Sequence, residues 1–328
     1  MTAILSTDPQ PVIGWDATRK EWLEARRPGL GASDVAAVLG FSRYTTPWQV
    51  WAAKNDVRHV EDTQTAAAEL GDDLEPWLLG QAARILGRPV ERTPARLYRD
   101  PQHPWRMASP DGVVAGVAEL VECKTAGLAS GYGYPDGWTE DSIPLGYEIQ
   151  ARWQLITMQA ERVHVVGLVA GMGVVHHVVE RDLGIENELL AQVGEWWQHH
   201  MVDGVEPPLG AGDGDVLRAM YPRPTANEID LDDTDAAEIA ARYRTFRTAE
   251  SEAKAAKKAE GARLQALLKE HAIGLIEGRP IVTWDTQNNT VDWEQLARDM
   301  AAQHDINLPD PETYRRRPKR VLGVKEEF

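Results

Sequence analysis

The chain is short of cysteine, of long apolar runs and of positive charge, and each shortage excludes something. Its single cysteine, Cys123, rules out an internal disulfide framework and suits a reducing compartment. No apolar run reaches the roughly 18 residues that a membrane-spanning helix needs, so no membrane partner is expected. The opening residues, MTAILSTDPQPVIGWD, lack a basic start followed by an apolar stretch. No signal peptide is therefore expected, and the expected location is the cytoplasm. There is no phosphate-cradling glycine-rich loop of the Walker type, so no use of ATP is expected. Internal repeats and low-complexity tracts are absent too. The net charge of −16 argues against a protein that coats nucleic acid by bulk electrostatics. It leaves room for an enzyme that binds DNA in one locally basic channel, because a metal-dependent nuclease needs carboxylates at the centre of such a channel.

What is present is a chain of 328 residues with an apolar share of 43%, enough for a sizeable core in one large domain or two. Two basic runs stand against the acidic background: Arg84, Arg88, Arg92, Arg96 and Arg99, and then RRRPKR from Arg315 to Arg320. Each reads equally as a solvated face.

The pattern along the chain is helices, a meander of strands, a helix, two strands and a helix. Residues 1–18 read as a lead-in. SDVAAVLG reads as a short helix with Ser33 as its N-cap, and Thr46 with Pro47 opens another. TQTAAAELGDDLEPWLLGQAARILG is mostly helical, with a kink or a fresh start expected near Asp72 because Pro76 has no N–H to donate. From Arg88 the period shortens: RLYRD, RMASP, GVVAG and AELVECKT suit strands. IPLGYEIQARWQLITMQA returns to helical spacing, with Tyr147, Gln150 and Gln154 on one face. RVHVVGLVA and GVVHHVVER follow as strands, and GIENELLAQVGEWWQHHMVDG as an amphipathic helix. The expected fold class is α/β in the α+β sense, a mixed sheet flanked by helices. A composition change at GVEPPLGAGDGD places a boundary near residue 206. Beyond it lie a long helix, whose apolar seam at Ile239, Tyr243 and Phe246 is broken by Glu250, Lys257 and Glu260, and a hairpin.

One stretch carries chemistry: ASPDGVVAGVAELVECKTAG, residues 108–127. Side chains alternate along a strand, so Glu122 and Lys124 share one face while Val121 and Cys123 serve the other. Asp111, in the turn SPDG, is brought alongside by the hairpin. Two carboxylates converging on one spot repel unless a cation lies between them, and hard oxygen ligands suit Mg²⁺ or Mn²⁺. A lysine beside them positions a water or stabilises charge developing on a phosphate. Glu-x-Lys alone is a weak signal. The same pattern recurs at Glu252 and Lys254 in a helix, and a surface ion pair on an edge strand has the same spacing. The adjacent pairs His176–His177 and His199–His200 do not share a face, which disfavours metal binding there. Trp196 and Trp197 suit helix packing, and Cys123, facing away, is not a candidate nucleophile.

The wider context singles out the first reading. RRPGLGASDVAAVLG, GDDLEPWLLG, ASPDGVV, LVECKT and YEIQARWQL occur in the order seen in one group of nucleases. The sequence resembles the YqaJ-type viral recombinase family, the relatives of phage lambda exonuclease within the PD-(D/E)xK nuclease superfamily, over roughly residues 15 to 205. The resemblance implies a restriction-endonuclease-like mixed sheet in an exonuclease domain, residues 19–205, followed by a mostly helical extension, residues 206–328. It implies that Asp111 and Glu122 bind metal, with Glu75 from the preceding helix and the Cys123 carbonyl completing a site for two Mg²⁺ ions. By the same likeness Lys124 is the catalytic lysine, Gln150 orders the site, and Arg26 with Ser33 grips a terminal 5′-phosphate. Arg27 competes with Arg26 for that role. The family's second glutamine, two residues after the first, is replaced here by Arg152, a candidate DNA contact. The implied activity is resection of linear double-stranded DNA from 5′ ends, alongside a single-strand annealing protein and in a ring-like homo-oligomer. Two other readings stay open at this stage: a structure-specific or single-strand nuclease of the same superfamily, and a non-catalytic module that binds DNA ends.

Overall fold

The computed structural model describes residues 8–55, 65–127, 137–139, 141–223, 228–232, 234–284 and 293–303. The chain divides into two units, Met1–Tyr221 and Pro222–Phe328.

The first unit opens with strand β1 (Gln10–Ile13) and helices α1 (Arg19–Arg26), α2 (Ala32–Val38), α3 (Pro47–Lys54) and α4 (Ala66–Leu86). Short strands β2 (Val90–Arg92), β3 (Leu97–Arg99), β4 (Met107–Ala108) and β5 (Gly112–Val114) lead into the longer β6 (Glu119–Ala126). Helix α5 (Leu145–Met158), strands β7 (Arg162–Val169) and β8 (Gly173–Glu180), helix α6 (Leu183–Trp196) and helix α7 (Gly214–Met220) complete it. The central sheet has the order β2-β5-β6-β7-β8. Only β6 and β7 run parallel, joined through α5, and every other neighbouring pair is antiparallel. A smaller sheet has the order β1-β3-β4.

The two faces of β6 explain the layering. Val121 and the half-buried Cys123 join Leu78, Leu79 and Ala82 of α4 on one side. On the other, Leu120 and Ala126 pack with Ala151 and Leu155 of α5 and with Val163 and Val165 of β7. A third cluster joins α2, α5 and α6 around the fully buried Trp153, which stacks at a tilt on Trp105. Trp197, in the π-helical turn Trp197–Val202 that extends α6, lies flat on Trp105 with ring centres 5.0 Å apart.

Three sequence expectations shift. Helix α4 makes no fresh start at Asp72. It runs unbroken through Pro76, which costs one ladder bond, because Leu78, Leu79 and Ala82 are anchored on the sheet. The N-cap of α2 is Gly31 rather than Ser33, and the Asp34 carboxylate accepts from the Gly31 N–H at 2.8 Å. A side chain at residue 31 would collide with Arg26, its Cβ lying 2.6 Å from Nη2, so the cap falls on the glycine. The domain boundary expected near residue 206 falls later, because residues 206–221 belong with the first unit. Glu206 there accepts from Trp48 Nε1 at 2.6 Å, and Asp213 holds Thr46 and Gln49 at 2.5 and 3.0 Å.

The second unit consists of helix α8 (Ala236–Leu268), the hairpin β9 (Ile273–Ile276) and β10 (Arg279–Thr283), and helix α9 (Trp293–Gln303). The basic run Arg315–Arg320 lies outside the described residues. Among the described residues no helix is long and apolar enough to cross a membrane.

Candidate active site

Strand β5 ends its pairing with β6 at Gly112, opposite Val121. One residue earlier the Asp111 side chain takes over where the ladder stops, and its Oδ2 accepts the Cys123 N–H at 2.7 Å. That bond fixes one carboxylate beside the next two side chains of β6. Glu122 is nearly fully buried, on the α5 side. Lys124, next on the same face, pairs with Glu122 Oε1. Helix α5 supplies two amides: Gln150 Nε2 donates to Oε1 at 2.5 Å, and Gln154 Nε2 donates to Oε2 at 2.6 Å. Residues four apart on a helix share a face, which is why both reach one carboxylate. Tyr147, one turn earlier, places its ring 5.2 Å from the Lys124 ammonium.

Helix α4 delivers Glu75. Gly71, Glu75 and Leu79 are spaced by four and form one stripe. At one end a Cβ on Gly71 would touch Thr125, and at the other Leu79 packs so closely over Gly112 that a Cβ there would lie 2.7 Å from Leu79 Cδ2. The glycine of SPDG thus lets α4 approach and sets Glu75 near Asp111.

The charges explain what the site wants. Burial raises the Asp111 carboxyl well above the ordinary range, and the Glu122 and Glu75 charges add to it, against the lowering effect of Lys124 and the Cys123 N–H. Burial alone pushes the Lys124 ammonium down, but Glu122 and Asp111 more than reverse this and hold it above the usual lysine range. The Cys123 thiol is pushed up, first by burial and then by the neighbouring carboxylates, which makes it inert as a nucleophile.

A divalent cation fits this donor set in part. Asp111 and Glu122 are hard oxygen donors that repel each other, and Gln154 Oε1, buried beside them, has no hydrogen-bond partner. The third expected ligand is engaged elsewhere: Arg92 donates to Glu75 Oε1 through Nη2 at 2.6 Å and Nε at 3.2 Å. Accordingly, no group of three or more His, Cys, Asp or Glu side chains among the described residues is arranged to hold a metal ion. Both Arg92 bonds fall on Oε1 of Glu75, and neither is made to Oε2.

Of the remaining expected residues, Arg26 and Ser33 are brought together, with Arg26 Nη2 donating to Ser33 Oγ at 3.2 Å. The neighbouring Arg27 instead lines a surface pocket with Glu24, Pro28 and Lys54. Arg26 Nη2 also meets Asp34 Oδ2 at 3.1 Å, and Lys54 Nζ reaches the same oxygen at 2.8 Å. Asp34 and Lys54 escaped the sequence reading; the signal was a buried lysine on the helix opened by Thr46-Pro47. Arg152 is tied to Glu148 Oε1 at 2.7 Å and to the Glu180 carbonyl at 3.4 Å, away from the carboxylates. The glutamine that completes the pair is Gln154. Of the histidine pairs, His176 turns away from His177 to His164 across β7 and β8, with ring nitrogens 3.0 Å apart, and His164 in turn meets Glu119 at 2.9 Å, while the His199 and His200 rings meet edge to face.

Residues 21–161 match the model of the YqaJ-like viral recombinase domain. That stretch of the chain is similar to the YqaJ-like viral recombinase domain. All of the residues placed above at the carboxylate centre and beside Ser33 lie inside that match. An uncharacterised protein YqaJ from Bacillus subtilis (strain 168) is 28% identical over 221 residues, 66% of this chain and 68% of the relative. Among solved structures, an alkaline exonuclease from Laribacter hongkongensis is 22% identical, covers 56% of this chain and 93% of its own, and superposes with a TM-score of 0.43. A phage-related exonuclease from Haemophilus somnus 129PT is 10% identical, covers 54% of this chain and 96% of its own, with a TM-score of 0.37.

Proposed function

We propose that this chain is a metal-dependent deoxyribonuclease that degrades linear double-stranded DNA from its ends. The observation that carries the reading is the convergence of Asp111, Glu122 and Lys124 at the β5–β6 junction, with Gln150 and Gln154 clamping Glu122 from α5. A module that only binds DNA ends has no need of two mutually repelling carboxylates and a lysine in one half-buried site. The YqaJ-like domain supports the same assignment.

Asp111 and Glu122, with the Cys123 carbonyl and Glu75, would hold Mg²⁺, with Mn²⁺ as a substitute and two ions per site. When bound, the metal supplies Lewis-acid stabilisation of the attacking and departing oxygens of the phosphodiester. The rest falls to the chain's own residues. Lys124 orients the attacking water and offsets negative charge on the phosphoryl oxygens. Gln150 and Gln154 stop Glu122 from rotating. The Arg26 guanidinium and the Ser33 hydroxyl bind the terminal 5′-phosphate, a pairing suited to the planar fork of arginine. We assign resection in the 5′ to 3′ direction, leaving a 3′ strand for recombination by a single-strand annealing partner, within a ring-like homo-oligomer. A closed ring would hold an acidic protein on DNA by topology rather than by charge.

The test is digestion of linear duplexes labelled at the 5′ or the 3′ end, bearing either 5′-phosphate or 5′-hydroxyl, with Mg²⁺ or EDTA. The reading predicts Mg²⁺-dependent release of the 5′ label as short product, faster from phosphorylated ends. Early release of the 3′ label would reverse the polarity, and equal rates on both kinds of end would remove the phosphate grip.

A further inference from the structure

Lys124 has two kinds of neighbour, and only one of them belongs to the carboxylate centre. The centre of the Tyr147 ring lies 5.2 Å from its ammonium, within the range of a cation–π contact. Trp138 tilts against that ring, with ring centres 5.7 Å apart, and is itself 5% exposed. His177 of β8 tilts against the same indole at 6.2 Å. The residue of β7 that pairs with Lys124 is Gly167. A Cβ there would lie 3.0 Å from Trp138 Cη2 and 3.3 Å from Cζ3. The indole therefore rests on bare backbone, beside the strand position that carries the lysine.

The strand register explains why the rings gather here. Residues paired across strands share a face, so Lys124, Gly167 and Val175 lie on one face, and His177, two residues on, joins them. Glycine leaves a gap on that face, and the indole fills it. Tyr147 stands one turn before Gln150 on α5, so the helix that clamps Glu122 also brings the ring. Lysine carries its charge on a flexible four-carbon stem. The Lys124 ion pair falls on Glu122 Oε1, an oxygen that Gln150 also binds. That single point of contact leaves the stem room to swing. A ring held against the ammonium removes that room and adds an attraction of its own. Trp138, seated between β7, β8 and α5, keeps the ring in place. The tolerance is small, because a misplacement of about 1 Å costs a reacting group about 100-fold in rate.

We propose that Tyr147 is a positioning residue for Lys124, with Trp138 seated on Gly167 as its prop. The inference rests on the nuclease reading and adds to it two aromatic residues that act on the lysine rather than on the metal.

The test is single-turnover cleavage of a linear duplex by the full chain, with DNA and Mg²⁺ titrated separately. Tyr147→Leu keeps apolar bulk and loses the ring. It is expected to lower the maximal rate about 10- to 100-fold, with the half-saturating concentrations of DNA and of Mg²⁺ within about twofold of wild type. Tyr147→Phe keeps the ring and gives up only the hydroxyl contact with Tyr44. Its rate should lie within about threefold of wild type. Gly167→Ala pushes the indole off β7 without removing it, and should lower the maximal rate about 3- to 10-fold in the same pattern. Melting curves check that each variant is folded. A folded Tyr147→Leu protein with the wild-type rate, a Tyr147→Phe protein as slow as Tyr147→Leu, or a loss that extra Mg²⁺ repairs would overturn the inference and leave the nuclease reading standing. If Tyr147→Leu does not fold, Gly167→Ala decides, and a wild-type rate there overturns the inference. No cleavage by wild type with any divalent metal would overturn the nuclease reading and the positioning role together.

Discussion

Glu122 is held from three directions: Lys124 and Gln150 share one of its oxygens and Gln154 takes the other. A carboxylate so clamped presents its remaining lone pairs in a fixed direction, which is what a ligand to a hard cation requires. Removing one clamp should therefore act through the metal. Gln154→Ala is expected to lower the cleavage rate about 10- to 100-fold and to raise the Mg²⁺ concentration for half-maximal rate. A metal titration of initial rates checks this, with circular dichroism confirming the fold. At this scale much was legible. Alternation along β6 put Glu122 and Lys124 on one face, and the SPDG turn put Asp111 beside them. Gln154 was visible only as a residue one turn from Gln150. The family pattern pointed to position 152 instead, where Arg152 binds Glu148. The Arg92–Glu75 pair left no mark in the sequence, because it depends on how β2 passes under α4.

Among the elements, α2 and α3 meet at a buried charge cluster. Burial works against the charge on Asp34, but Arg26 and Lys54 outweigh it and hold the carboxyl well below the usual range. A depressed carboxyl adds stability in full above the unfolded value, about pH 3.9, and loses it as the pH falls toward the folded value. Asp34→Asn leaves Lys54 and Arg26 without their counter-charge and should cost about 3 kcal/mol at neutral pH. The gap from wild type should narrow as the pH falls below about 4. Urea denaturation from pH 3 to 7 measures both. The seat of α4 gives a second prediction. Gly112→Ala forces a methyl against Leu79 Cδ2 at 2.7 Å and against the Glu91 carbonyl at 3.0 Å. It should cost about 1–3 kcal/mol and lower activity by lifting Glu75 away. Leu79→Ala, which opens that space, should restore part of the activity to the Gly112→Ala protein. Strands and helices here were largely legible from period. What was not legible is where local rules yield to packing: Pro76 does not break α4, and the cap of α2 falls on Gly31 because Arg26 occupies the space a side chain would fill.

For the whole molecule the governing fact is a net charge of −16 on a chain proposed to hold DNA. Affinity must then come from local arginines, and it should fall steeply with salt despite the overall charge. A ring-like assembly predicts a mass in multi-angle light scattering that is a multiple of 36.4 kDa; a monomer across the working concentration range would remove the topological argument. Composition and motif order pointed to a mixed sheet and an acidic centre. They could not place the end of the first unit at Tyr221, because contacts such as Trp48 with Glu206 join residues far apart in sequence.

The most direct test of the central claim is nucleotide release from a linear duplex and from a covalently closed circle, by wild type and by Lys124→Met, with Mg²⁺ and with EDTA. The account predicts Mg²⁺-dependent release from the linear duplex by wild type alone, with the circle intact. Release by Lys124→Met at the wild-type rate, or none by wild type with any divalent metal, would contradict it.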